Sequence, residues 1–485
     1  MNGRAPAADF PDATISALRS SRPQGLARDL PFLLFADALI LVAALFVSNL
    51  KGNLAEAFGA VGVLALVSLV VTAWFAIQHP TDIKCHAFLV LQGAWTYWYL
   101  VPMLLAAYRG KIYLDDQPHE FTPEQIARAC VAVLLTKFVS VLVYQIVLAR
   151  PVLNVERMAA WLNRRSYPMS VLPIIALLGV GLIPFLISGK EVITAILSSR
   201  SPEGIFPKSN FTGVGGGWFA LTSFLTACAL IGLYRFLVDQ GQLRRWIFLF
   251  IAICAVLVSA IAISTRTMLL ASIMPPLMFF LLGSRNRWRF VNMLVCLVAL
   301  WVGADLLVSF RGRGLLQAPG AQERFSRNLV DNDFFNELVF ATATVPDQAH
   351  YTNDDPTVLA LITLIPRAIW PGKPRLEAEE RIMRLRANYL TGDLTGNALP
   401  GIVGQYWEFA GSIGLLELGV WLGLTLAICD RIAQASNWHI RYLALTFAWS
   451  LFISFRTLAV SSFFPLLLVS ATVLFASRRT RLESA

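Results

Sequence analysis

The sequence predicts an all-α integral membrane protein of about 12 transmembrane helices. Hydrophobic residues make up 56% of the 485 residues and charged residues only 14%, which is more apolar surface than a soluble domain can bury. Apolar runs of about 17 to 25 residues, long enough to cross a bilayer, recur along the chain. They lie near residues 32–50, 58–78, 87–108, 125–149, 169–188, 216–238, 246–264, 267–283, 289–309, 412–429, 440–455 and 458–477.

These runs divide the chain into five parts. Residues 1–30 are predicted to be a cytoplasmic tail, because no small-residue cleavage site follows the first apolar run. Residues 31–309 contain transmembrane helices one to nine, and residues 401–477 contain helices ten to twelve. Between them, residues 310–400 form one large polar loop. Residues 478–485 are a second cytoplasmic tail.

The lysine and arginine residues of the short loops set the predicted orientation, because cationic loops tend to stay in the cytoplasm. These residues are concentrated in both tails and in alternate loops, such as 150–165 and 285–289. Both termini are therefore predicted to be cytoplasmic. The 310–400 loop is predicted to face outward, which in a bacterium is the periplasmic side of the inner membrane. The net charge of +10 follows from this asymmetry, so we do not interpret it as a nucleic-acid-binding surface.

Several kinds of chemistry have no signature in the sequence. No Walker motif, Gly-rich dinucleotide fingerprint or paired CxxC is found, so no cofactor is predicted. None of the six cysteines lies in the 310–400 loop, so a disulfide framework is not expected there. Asp331-Asn-Asp333 is the kind of acidic pair that holds a divalent metal with a nucleotide sugar, but nucleotide sugars are cytoplasmic. We favour a helix-capping role ahead of Phe334, and we predict no metal site.

Five arginines from separate parts of the chain are predicted to meet at the outer boundary of the membrane. Each one alone is explained as well by snorkelling to lipid headgroups. Together they place positive charge on the outer side, whereas the topology rule predicts cations on the cytoplasmic side. The planar guanidinium group also suits bidentate phosphate binding. A polyprenyl-diphosphate sugar fits this arrangement, because its tail needs lipid and its head needs cations. The candidates are Arg266 and Arg456 in short outer turns, Arg311 and Arg313 after the ninth span, and Arg367 in the loop.

Transfer of a sugar from a diphosphate also needs a general base that takes the proton from the acceptor hydroxyl. His350 is the histidine of the large loop, and Glu337, Asp347 and Glu408 are competing carboxylates. For each of them a solvated or salt-bridged surface role is the alternative.

Aromatic and charged residues near these candidates allow two interpretations each. Trp370 is either an interface anchor or a stacking face for a sugar. The aromatic run Trp95–Tyr99 is interpreted in the same two ways, as a membrane-interface belt or a glycan surface. Lys137 and Asp305 are charges within predicted spans, so both are expected to face the bundle interior, either as a structural polar pair or with Asp305 as a further base.

The large loop is predicted to be ordered. Phe325, Leu329, Leu338 and Phe340 recur at helical spacing, which predicts a helix lying in the membrane interface with one apolar side down. Residues 376–390 form a second helix candidate with charges at i,i+4 spacing. Pro366, Pro371 and Pro374 exclude a regular helix between the two.

One segment of this loop resembles a known family. The run Ile365-Pro-Arg-Ala-Ile-Trp-Pro-Gly-Lys-Pro374 is similar to the Pro-Arg-x-x-Trp-Pro-x-Lys-Pro segment of bacterial O-antigen polymerases, the Wzy-type repeat-unit polymerases. The turn Thr265-Arg266 and the run Gly404-Gln-Tyr-Trp-Glu-Phe-Ala-Gly-Ser-Ile-Gly414 are similar to further parts of that family. Gln405 stands where members often have Glu. The resemblance in residues extends from about 264 to 460.

The resemblance implies a glycosyltransferase of the broad C type that works at the periplasmic face without a metal or other cofactor. It would move a growing glycan from one undecaprenyl diphosphate onto the nonreducing end of another lipid-linked repeat unit. Arg266 and Arg367 become the first candidates for the diphosphate site, followed by Arg311, Arg313 and Arg456. His350, Glu337 and Glu408 remain base candidates without an order. The partners are the lipid-linked donor and acceptor and the membrane lipid, with a chain-length regulator protein as a further candidate.

Two other functions compete with polymerisation. An O-antigen ligase uses the same kind of donor but delivers the glycan to lipid A core, and the Pro/Trp run favours the polymerase. A flippase or transporter of the glycan precursor commonly has paired halves with interrupted helices, and no such duplication is found in the sequence.

Overall fold

A computed structural model gives the arrangement of the chain. It describes residues 86–100, 111–114, 117–149, 172–187, 215–238, 242–263, 272–277, 334–352, 354–363, 400–434, 438–455 and 468–470, with scattered positions between 38 and 106 and at 279, 370 and 385.

The described part of the chain is mainly helical. A π-helical turn, Thr96–Leu100, extends the first helix. One short antiparallel hairpin pairs Ile112 with His119. The elements in chain order are α1 (His86–Trp95), β1 (Ile112–Leu114), β2 (Gln117–His119), α2 (Pro123–Ala149), α3 (Leu172–Ile187), α4 (Gly215–Val238), α5 (Gln242–Ile263), α6 (Phe334–Thr344), α7 (Pro356–Thr363), α8 (Gly401–Ala410), α9 (Ser412–Gln434) and α10 (Trp438–Ser454).

Among the described residues, two helices are long and apolar enough to cross a membrane, namely α2 over Pro123–Leu148 and α9 over Ser412–Ala433. They coincide with the predicted spans at 125–149 and 412–429. The helices α1, α3, α4, α5 and α10 also lie on predicted spans. The other predicted spans lie wholly or largely outside the described residues. The prediction of an all-α protein is therefore confirmed in its coarser form, a mainly helical chain with two candidate spans.

The helices α2 and α9 pack closely through two glycines four residues apart. A Cβ atom built on Gly419 would lie 2.7 Å from the Cβ of Val139, and one on Gly423 would meet the carbonyl oxygen of Ser140. Small residues at this spacing let two helix backbones approach each other. The close contact makes this helix pair the centre of the larger apolar core.

A second apolar core joins α3, α4 and α5. Gly232 of α4 faces α5, where an added Cβ would lie 3.0 Å from the carbonyl oxygen of Phe248. The hydroxyl of Tyr442 in α10 donates to the carbonyl of Leu230 at 2.7 Å. This bond connects α10, which also packs on α1 and α9, to the second core.

Charged side chains cap helix termini where α2 ends. The carboxylate of Asp430 accepts hydrogen bonds from the backbone N–H groups of Ala87 (2.7 Å) and Phe88 (3.2 Å) at the start of α1, and from the hydroxyl of Tyr144 at 2.7 Å. Arg431 donates to the carbonyls of Val147 and Leu148 at the end of α2. A carboxylate at a helix N-terminus and a guanidinium at a C-terminus both match the helix dipole.

The burial of Lys137 confirms the expectation that its charge faces the interior of the bundle. It lies in the middle of α2 and is fully buried. Asp305, the other charge within a predicted span, lies outside the described residues.

The helix predicted to lie in the membrane interface is described only from Phe334 on, since Phe325 and Leu329 lie outside the described residues. Its described part, α6, has no apolar side directed toward a membrane. Every residue of α6 is buried, including the polar Asn336 and Glu337, so this helix has no side exposed to solvent. The sequence pattern indicated one apolar side, because only the large apolar residues of this segment recur at helical spacing. In the structure, neighbouring elements also cover the small and polar residues of α6. Of the second predicted helix, 376–390, only Leu385 is described, and it is helical.

The aromatic run before the hairpin also belongs to the interior. Trp98 and Tyr99 are buried, and the indole of Trp98 donates to the carbonyl of Phe452 at 2.8 Å. Its ring meets Phe334 edge to face at 5.0 Å. The rings of Trp95, Trp98 and Tyr99 are therefore packed in the core, and neither a membrane-interface belt nor a glycan surface describes them, whereas Tyr97 is partly buried.

Candidate functional site

Two short buried helices, α6 and α8, pack against each other at the end of the bundle where α2 begins. Gly404 of α8 faces Leu338 of α6, whose Cδ1 atom lies 3.6 Å from a Cβ built on the glycine. The indole of Trp407 donates to the carbonyl of Val345, just after α6, at 2.9 Å. A Cβ at Gly404 would be in ordinary contact with Leu338 but would collide with the ring of Pro400, so the glycine makes room for the start of its own helix.

Four amide or carboxyl side chains lie in this largely apolar helix pair. Asn336 and Glu337 belong to α6, while Gln405 and Glu408 belong to α8, and all four are buried. The amide of Asn336 donates to the carbonyl of Tyr113 in β1 at 3.1 Å. Burial of a carboxylate costs several kcal/mol in proteins, so the buried carboxylates of Glu337 and Glu408 are candidates for a functional site.

The N-terminus of α8 is closed by other parts of the chain. Gly401 adopts a φ of 70°, which a side chain would strain, and an added Cβ would meet the hydroxyl of Tyr99. The N–H of Ile402 donates to the carbonyl of Phe455 at 3.0 Å, and the N–H of Val403 donates to the hydroxyl of Tyr99 at 3.1 Å. Since these two first-turn donors are occupied, the start of α8 does not offer them to a phosphate.

The connection between α6 and α7 holds the other end of α8. The backbone N–H of Thr352 donates to the carbonyl of Glu408 at 2.9 Å, and the hydroxyls of Thr357 and Tyr406 are hydrogen-bonded to each other. Burial raises the pKa of the Tyr406 hydroxyl, while the hydrogen bond with Thr357 acts in the opposite sense. The phenol is therefore neutral at physiological pH, and it acts as a hydrogen-bonding group that fixes α8.

Arg128 ties the start of α2 to the end of α6. Its guanidinium donates to the carbonyl of Thr342 and to the carboxylate of Asp347, both at 3.2 Å. Asp347, a candidate base from the sequence, is thus half-exposed and ion-paired. Arg128 was not among the candidates from the sequence, although a cation near the predicted outer end of a span opposes the topology rule and was a usable signal.

The structure separates the three base candidates. Glu337 and Glu408 are buried in the α6–α8 pair, whereas His350 is exposed in the segment that follows α6. Trp370 is also exposed, with 41% of its surface accessible. The predicted diphosphate ligands Arg266, Arg311, Arg313, Arg367 and Arg456 lie outside the described residues, as do Asp331 and Asp333. The carbonyl of Phe455, the residue before Arg456, accepts a hydrogen bond from the N–H of Ile402 at the start of α8.

In the part of the chain that the structure describes, no three His, Cys, Asp or Glu side chains are grouped so that they could hold a metal ion.

Comparisons of the chain with protein-family models, with curated proteins and with solved structures found no match. The resemblance to the repeat-unit polymerases therefore remains a prediction from the sequence.

Proposed function

We propose that this chain is an integral membrane glycosyltransferase that polymerises undecaprenyl-diphosphate-linked oligosaccharide repeat units at the outer face of the bacterial inner membrane. The observation that supports it most directly is the pair of buried carboxylates, Glu337 and Glu408, on the adjoining helices α6 and α8. In sequence they stand on either side of the Pro/Trp segment 365–374. Both helices pack near the start of α2, which is its outer end in the predicted orientation.

The exposed faces of the long helices support the membrane part of the proposal. Ile413, Leu416, Val420 and Leu424 form an exposed apolar stripe along α9, and Ile413 is 72% exposed. Apolar surface in water costs about 25 cal/mol per Å², and contiguous patches of this kind mark contact with lipid or protein. Lipid acyl chains would cover this stripe without any contact from another protein.

The proposed reaction needs two groups from the protein. The oxygen of an acceptor hydroxyl attacks the anomeric carbon of the donor glycan, and the bond from that carbon to the diphosphate oxygen breaks. One buried carboxylate, Glu337 or Glu408, takes the hydroxyl proton as the new glycosidic bond forms. Arginines stabilise the negative charge that develops on the departing undecaprenyl diphosphate, and Arg266 and Arg367 are proposed for this role.

Reconstitution with a defined substrate tests the proposal. The purified chain would be placed in vesicles with a synthetic lipid-linked repeat unit, without nucleotide or metal, and the products separated by size. A ladder of glycans is expected. Products that form only after addition of lipid A core would instead indicate a ligase. Exchange of the substrate between leaflets without new bonds would indicate a transporter, and either result would overturn the proposal.

The diphosphate role of the arginines is tested in the same vesicles. Arg266→Ala and Arg367→Ala are each expected to lower the rate of laddering by at least about 100-fold, because a charge-stabilising donor contributes on that scale. Lys111→Ala, which removes an exposed cation of the hairpin region, serves as the control and should ladder normally. Laddering at the wild-type rate would remove the substituted arginine from the proposed site.

A further inference from the structure

Three arginines meet at the turn between α4 and α5, far in sequence from the proposed catalytic helices. Arg235 lies in the last turn of α4, and Arg244 and Arg245 lie in the first turn of α5. Only one acid, Asp239, occurs between Arg235 and Arg245 in the sequence. The turn therefore has a net positive charge.

Aromatic rings hold these guanidinium groups in place. Arg235 and Arg244 both lie over the ring of Phe248, at 5.3 and 5.8 Å from its centroid. Arg245 lies over Phe236 at 5.1 Å, and its Nε donates to the carbonyl of the same residue at 3.0 Å. Cation–π contacts and the cap on α4 restrict the arginine side chains, so little conformational entropy is lost when they bind an anion.

An exposed apolar stripe begins directly beside these charges. Leu243, Trp246, Phe250 and Leu257 follow one another at helical spacing along α5, with exposed fractions of 77%, 63%, 69% and 54%. The spacing puts all four on one face of the helix. Trp246 also packs against Phe236, so the stripe and the cationic turn form one continuous surface.

We propose that this surface binds an anionic phospholipid, with the phosphodiester headgroup at Arg244 and Arg245 and the acyl chains along the α5 stripe. The two parts of the surface match the two parts of such a lipid, since guanidinium groups bind phosphate and basic surfaces next to membrane helices bind anionic headgroups. A second copy of the chain that used the same surface fits less well, because the arginines of the two copies would face each other and repel. The inference rests on the membrane part of the proposed function and is independent of glycosyl transfer.

The test measures lipid binding to the full chain. Delipidated protein in detergent would be titrated with dioleoylphosphatidylglycerol or dioleoylphosphatidylcholine, and bound lipid counted by native mass spectrometry. The wild type is expected to prefer the anionic lipid by at least about fivefold, the factor that corresponds to ~1 kcal/mol for one cation near an anionic lipid. Glycerol phosphate, which has the charge but no acyl chains, should not displace it. Equal affinity for the two lipids, or displacement by glycerol phosphate, would overturn the inference.

Three variants locate the site. Arg244→Gln should remove most of the preference, while Lys111→Gln, with the same loss of charge at an exposed residue of the hairpin region, should retain it. Arg244→Lys keeps the charge and should retain part of the preference. If Arg244→Gln binds the anionic lipid as the wild type does, the site is not at this turn. If the chain prefers the anionic lipid but makes no glycan ladder, only the polymerase proposal is disproved. If it makes the ladder but shows no lipid preference, only the lipid site is disproved.

Discussion

Buried carboxylates have different surroundings at the two ends of this bundle. Asp430 accepts two backbone N–H bonds and one phenol bond, so its charge is used to join α1, α2 and α9. Glu337 and Glu408 lie on two short helices, α6 and α8, that adjoin each other at the end of the bundle where α2 begins. We therefore assign a structural role to Asp430. The chemical role that we propose for Glu337 and Glu408 rests on their burial and on their positions on either side of the Pro/Trp segment in the sequence.

The structural role of Asp430 predicts a large effect of Asp430→Asn. The amide keeps the size of the side chain but removes the charge and one acceptor oxygen, so the free energy of unfolding should fall by about 2 to 3 kcal/mol. Tyr144→Phe removes only the phenol bond and should cost about 1 kcal/mol. Thermal unfolding of the purified variants in detergent gives both values. Wild-type stability of Asp430→Asn would show that these hydrogen bonds do not hold α1 in place.

At the scale of elements, short helices are placed by contacts with longer ones. The helices α6 and α8 have 11 and 10 residues, which is too short to cross a bilayer. Their positions depend on Arg128 of α2, on the hairpin through Tyr113, and on the Phe455 carbonyl after α10. A change in any of these contacts is expected to move the buried carboxylates. The proposed site can therefore also be tested by substitutions outside α6 and α8.

The close packing of α2 on α9 predicts that Gly423→Ala is destabilising. Its Cβ would meet the Ser140 carbonyl and lie 2.8 Å from the Cβ of Val143, so the helices would have to separate, at about 1 to 3 kcal/mol. Gly179→Ala in α3 is the matched control, because no atom lies within 4 Å of the added Cβ. It should be neutral or stabilising by up to about 1 kcal/mol. Equal melting temperatures for the two variants would contradict the packing described here.

At the scale of the whole molecule, the predicted orientation places the ends of the bundle on opposite sides of the membrane. Asp354 and Arg244 are both exposed, so single cysteines at these positions report the two sides. In intact spheroplasts a membrane-impermeant maleimide should label Asp354→Cys. Arg244→Cys should react only after permeabilisation. The unsubstituted chain gives the background from native cysteines, and the opposite labelling pattern would invert the topology.

The sequence predicted the positions of helices better than their surroundings. The bounds of α2 and α9 followed from the length of apolar runs, and the interior position of Lys137 followed from the cost of a charge in lipid. The complete burial of α6 could not be predicted, because the elements that cover it come from distant parts of the chain. The same is true of Arg128 with Asp347, which are 219 residues apart. The Gly419-x-x-x-Gly423 spacing was visible in the sequence and could have indicated the α2–α9 contact.

The central claim is that a buried carboxylate of the α6–α8 pair acts as the base in glycan polymerisation. The most direct test compares the rate of glycan laddering by the reconstituted wild type with those of Glu337→Gln and Glu408→Gln, using the exposed Asp354→Asn and His350→Ala as controls. We expect at least one glutamine variant to lose about 100-fold or more in rate while both controls stay within about tenfold of the wild type and all variants remain folded. If both glutamine variants ladder at the wild-type rate, or if only His350→Ala loses activity, the assignment of the base to α6 and α8 is wrong.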